Sequence, residues 1–163
     1  MTSEPIRDPL ADHLITPQNA ALVLIDSQPS QFATVRSMDP DLLLRNVVST
    51  VKTARAFGLP IVHSTVNVAS GQQQPTVPEL DGLLEDSPPL DALREGYEVY
   101  PVVDAIGGTS LEAHRAALER VVQAGAQPIS WVSLACELQR DWARLDTVPA
   151  IVEIVLTDRL LQE

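Results

Sequence analysis

Residues 20–26 read AALVLID, residues 59–66 read LPIVHSTV, and between them residues 36–58 read RSMDPDLLLRNVVSTVKTARAFG. The two outer runs are short and continuously apolar, the pattern of strands covered on both faces. The middle stretch is punctuated as a helix. Asp39 stands at the N-cap, Pro40 at the first helical position and Gly58 just past the end. Its apolar positions Leu43, Val47, Val51 and Ala54 recur every three or four residues. Strand, helix and strand in this order imply a parallel pair joined by a right-handed crossover.

The pattern continues outward from there. Ser87 and Pro88 open a short helix over 90–95, closed by Gly96. Residues 97–103 (YEVYPVV) read as a strand ending at Asp104. Thr109 or Ser110 caps a helix that runs to Ala124 and stops at Gly125. Residues 126–132 (AQPISWV) read as a fourth strand, and 133–144 as a helix with Leu134, Leu138 and Trp142 on one face. The β-branched run 150–156 (AIVEIVL) reads as a sheet edge or as an arm pairing with a neighbouring subunit. Residues 67–87 show no clear element except over 77–84, and so long a connection is either functional or a sign of something missing. The expected organisation is an extended arm over 1–18, an α/β domain over 19–145 and a tail over 146–163. The expected fold is a doubly wound, Rossmann-like parallel sheet flanked by helices.

Composition narrows the function. The chain has 163 residues, enough for one compact domain. Acidic residues outnumber basic ones 22 to 11, for a formal charge of -11. Such a surface repels phosphate backbones and anionic lipid, so neither nucleic acid nor membrane is expected as a partner. No apolar run approaches the roughly 18 residues of a membrane span. The single cysteine, Cys136, cannot form an internal disulfide, which points to the cytoplasm.

In an open parallel sheet, ligands bind beyond the carboxyl ends of the strands. Asp26, His63, Ser64 and Asp104 fall there. Two carboxylates and an imidazole at one edge suit acid–base chemistry. Each residue also has a plainer reading. Asp26 can accept hydrogen bonds from loop amides, His63 can be a satisfied core histidine, and Asp104 can brace the turn before Gly107-Gly108. Cys136, near the start of a helix, reads as a small apolar residue packed beside Leu134 and Leu138, and as a nucleophile only if that helix end activates it. His13, His63 and His114 lack ligand-like spacing, and Gly107-Gly108 lacks the third glycine and lysine of a phosphate loop. No metal and no cofactor are expected.

Residues 21–28 (ALVLIDSQ) resemble the first strand of the isochorismatase-like cysteine hydrolases. The YcaC-like branch is the nearest match, through 90–108 (LDALREGYEVYPVVDAIGG), His114 and 123–142 (QAGAQPISWVSLACELQRDW). With 59–66 and VPEL at 77–80, the resemblance covers most of 18–144. It implies a homo-oligomer of bacterial origin that acts on a small amide-like substrate. The implied reaction is thiolate attack on an amide or related carbonyl by an aspartate, lysine and cysteine set. Asp26 matches the aspartate, the general base.

The other two members have no counterpart. Lys52, the only lysine, lies in the helix between the first two strands, whereas the family's lysine follows VPEL. Cys136 matches the second, non-nucleophilic cysteine of the "ACEL" piece. About 40 residues look absent near 86–90, enough for a whole strand–helix crossover. They would carry the lysine, the nucleophile and a central strand. The resemblance therefore implies a hydrolase homologue that is inactive as it stands, or a non-catalytic assembly or binding subunit using the family's oligomer surfaces.

Overall fold

The computed structural model describes residues 14–84 and 98–160. Residues 1–13 of the expected arm over 1–18, and the junction near 86–90 with its short helix, lie outside the described residues. The chain forms a helix-rich α/β fold around a small parallel sheet. Strand β1, Leu22–Ile25, pairs in parallel with strand β2, Ile61–Ser64. In that register Leu24 stands opposite His63 and Ile25 opposite Ser64. Helix α1 is a single turn, Pro29–Phe32, inside a stretch that reads as loop from its polarity.

The crossover is helix α2, Pro40–Ala56, and its punctuation works as the residue types require. The Asp39 side chain accepts the Leu42 amide at 2.9 Å. Gly58 adopts φ +68°, a conformation that costs glycine little. Leu43, Val47, Val51 and Ala54 are all buried and form the centre of the core with Leu24, Leu59, Ile61 and Leu80. Removing the cap in Asp39→Ala should cost about 1 kcal/mol, read as a lower urea midpoint at unchanged slope.

The second half is less regular than its hydropathy suggests. Residues 99–103 do run parallel to 127–129. The Gln127 amide donates to Val99 O, the Ile129 amide to Pro101 O and the Val103 amide to Ile129 O, each at 2.9 Å. The ladder stops at one bridge, Val102 to Ile129. Pro101 has no N–H to give to Gln127, so the next rung cannot form. A one-turn 3₁₀ helix, Val103–Ala105, follows.

Helix α3, Leu111–Gln123, starts at Ser110, whose side chain accepts the Ala113 amide at 3.0 Å. Helix α4, Trp131–Gln139, starts at Ser130 in the same way. It is displaced from the expected 133–144, and Trp142 is 57% exposed instead of facing the core. Fully buried Gln139 turns the chain. Its amide donates to Asp141 O at 3.0 Å and Arg144 O at 3.3 Å, while Thr147 donates to its Oε1 at 2.6 Å.

The run 150–156 is not a strand. It lies in helix α5, Val148–Leu160, which packs on α2 with Ile151 1% exposed. A strand would place Glu153 on one face with Ile151 and Val155. A helix gathers Ile151, Ile154 and Val155 instead, and satisfies its own backbone without a sheet edge to pair with.

Coverage of the sheet also differs from expectation. Val23 and Ile25 are 39% and 67% exposed, so among the described residues one face of β1 stays open. The amphipathic helix α3 buries none of its side chains. Among the described residues the sheet has two strands, consistent with a missing central strand, and residues 99–103 pair with 127–129 and not with β1. No helix among the described residues is long and apolar enough to cross a membrane.

Candidate functional site

The parallel register brings Asp26 and His63 to one edge. The Asp26 amide donates to Ser64 O at 3.0 Å, one step past the end of β1. The backbone there takes φ +53°, in the left-handed region that aspartate tolerates better than most residues. That kink ends the strand and sends the Gln28 amide back to Asp26 O at 2.8 Å. Asp26 is half-buried and Ser64 is exposed.

His63 is half-buried, and its Nε2 lies 2.8 Å from Thr76 Oγ1. Burial pushes the imidazole below its usual value, and the nearby Asp26 carboxylate partly opposes that. The folded state therefore binds the His63 proton less readily than the unfolded chain. Stability from this group is complete above the unfolded value of 6.5 and is lost as pH falls through the lower folded value. The melting-temperature advantage of the protein over His63→Gln should thus shrink between about pH 7.5 and about pH 5. An advantage that grows on acidification would contradict this sign.

Asp104 works elsewhere. Its Oδ1 accepts the Trp131 amide at 2.9 Å at the start of α4, and its carbonyl accepts Asn46 Nδ2 of α2 at 2.6 Å. It is a tie between two helices and shares none of these contacts with Asp26 or His63. Gly107 and Gly108 serve close packing. A Cβ on Gly107 would lie 2.5 Å from Val35 Cγ2, and one on Gly108 would lie 2.8 Å from His114 Cβ.

Cys136 is exposed, not packed beside Leu134 and Leu138, because those two point to the core from the opposite side of α4. It sits in the second turn of the helix, away from the amides of its first turn. It lines a surface cavity of about 410 Å³ with Leu14, Val132, Ser133, Glu137 and Arg140, none of them from the sheet. Lys52 is exposed on α2. No three His, Cys, Asp or Glu side chains converge in a metal-like group among the described residues.

Two residues escaped the sequence reading. Gln28 is fully buried two positions after Asp26, and Thr76 reaches His63 from the irregular stretch. The available signal was the polar pair Ser27-Gln28 directly after an apolar strand, where a buried amide has backbone groups to satisfy.

Comparison with known proteins gives matches in domain, sequence and fold. The isochorismatase domain matches residues 86–133. The probable hydrolase YcaC of Escherichia coli (strain K12) is 29% identical over 166 residues, spanning 76% of this chain and 79% of that protein. Two solved structures share the fold. The YcaC gene product of Escherichia coli, an octameric hydrolase of unknown specificity, aligns with a TM-score of 0.75 at 24% identity, over 92% of this chain and 98% of that one. YcaC from Pseudomonas aeruginosa, solved with hexane-2,5-diol and covalent acrylamide, aligns with a TM-score of 0.74 at 26% identity, over 89% and 96%.

Proposed function

We propose that the chain, which matches the isochorismatase domain over residues 86–133 and is similar to the YcaC proteins, is a hydrolase homologue of that family that keeps the family aspartate and has lost covalent catalysis. The observation that carries this is the position of its one thiol. Cys136 opens onto a cavity walled by α4 and Leu14, while Asp26 ends β1 beside His63. The ancestral reaction is thiolate attack on a small amide or related carbonyl. Asp26 would take the thiol proton in that reaction, and here it has no thiol to deprotonate. His63 and Ser64 remain as polar groups of the inherited edge, without a thiol among them, while Asp104 is engaged between α2 and α4. Iodoacetamide tests the reading. Mass spectrometry should find one adduct, on Cys136, formed no faster at neutral pH than on a small free thiol. A much faster reaction would return a nucleophile to the protein and sink the proposal.

The second reading is a non-catalytic assembly subunit, favoured by the open apolar stripe of α3 with Leu111, Val121 and Val122 exposed. The octameric state of the Escherichia coli relative supports self-association. A single symmetric oligomer in sedimentation, with no turnover, is the expected result, and a monomer would contradict it. The charge of -11 argues against nucleic-acid and anionic-membrane partners. One cysteine and bacterial relatives suit a bacterial cytoplasm.

A further inference from the structure

We propose that Gln28 is a positioning residue whose buried side chain latches residues 66–76 across the carboxyl end of β1 and β2, and so seats the Thr76 hydroxyl on His63. Both ends of the amide are used. Nε2 donates to Val66 O at 3.2 Å and to Gln74 O at 2.6 Å. Oε1 accepts the Val66 amide at 2.8 Å. Val66 and Gln74 stand eight positions apart, so one side chain closes the loop between them. A second staple lies just beyond Thr76, where the Val77 amide donates to Ser27 O at 3.0 Å.

Gln28 is itself aimed by its surroundings. Its carbonyl accepts the amides of Gln31 at 3.0 Å and Phe32 at 3.1 Å, so α1 fixes its backbone. Its side chain is 0% exposed, and a buried amide paired at both ends has one stable orientation. Thr76 is therefore held between two staples with Pro75 before it, and its hydroxyl meets His63 Nε2 at 2.8 Å. The charged group acting on His63 among the described residues is Asp26, at the end of β1. The latch governs the imidazole through the strap, without touching it, and holds whichever reading of the family chemistry is right.

The test uses imidazole NMR of the full chain, with His63→Gln assigning the signal among the three histidines, and amide exchange at Val66. In the unmodified protein, the Val66 amide should be protected and His63 should titrate below its ordinary 6.5. Gln28→Met, close in shape but without the amide's donors or its acceptor oxygen, should speed Val66 exchange about tenfold and move the His63 titration towards its ordinary value. Thr76→Val should alter the His63 signal and leave Val66 protected. Gln28→Asn, one methylene short of these partners, should behave like Gln28→Met. A folded Gln28→Met protein with His63 titrating unchanged would overturn the proposal. If Gln28→Met does not fold, two results decide it. Either a Val66 amide in the unmodified protein exchanging at the rate of an unstructured loop, or a His63 signal indifferent to Thr76→Val, overturns the latch.

Discussion

Incubated with simple carboxamides or with isochorismate-like substrates, the protein should release product no faster than buffer does, and Asp26→Ala should not change the rate. The expected deficit against an active relative is large. Removing a covalent nucleophile costs on the order of 10⁶ in kcat when the rest of a catalytic set is intact. On the proposed reading the ammonium is missing as well, because the only lysine is Lys52 on the exposed side of α2. A carboxylate alone can polarise water, but it cannot form the acyl intermediate that divides amide hydrolysis into two easier steps. Rates should be measured at high protein concentration, with Cys136→Ser alongside. Turnover abolished by Asp26→Ala would show that a working site survives. Turnover abolished by Cys136→Ser would assign the nucleophile to α4.

Ile151→Ala should remove about 3 kcal/mol of stability, the ordinary cost of emptying a buried aliphatic site. For a chain of this size that lowers the melting temperature by roughly 10 °C. Ile151 is 1% exposed where α5 lies on α2, so the lost contacts are with a rigid helix that collapses poorly into the void. Its neighbour Val152 is 38% exposed and provides the control, with Val152→Ala expected within about 0.5 kcal/mol of the unmodified protein. Equal, small effects at the two positions would mean that residues 148–160 do not cover α2 in solution. A strand arm reserved for a neighbouring subunit would behave in that way in a dissociated protomer.

The candidate site was legible in part. Asp26 and His63 could be placed at one edge because strand direction and crossover hand follow from residues close together in the chain. That Asp104 ties α2 to α4 could not be read, since its carboxylate meets an amide 27 positions away. The exposure of Cys136 follows from the face of α4 that Leu134 and Leu138 bury, because a helical residue two positions from each lies on the opposite side. Pro101 carried a usable warning, because a residue without an N–H cannot complete a parallel rung.

Short-range chemistry settled the β1–α2–β2 unit from the amino acids alone. Asp39 caps its own helix three residues on, Gly58 relieves its own turn, and the apolar spacing of α2 selects one face. Tertiary structure alone decided that 148–160 would coil and not extend, since both conformations suit its apolar residues and the uncovered flank of α2 selects between them. It alone decided, too, that Gln28 would reach backbone 38 and 46 positions away. Such contacts exist only once distant segments have been brought together, and no local preference encodes which segments those will be.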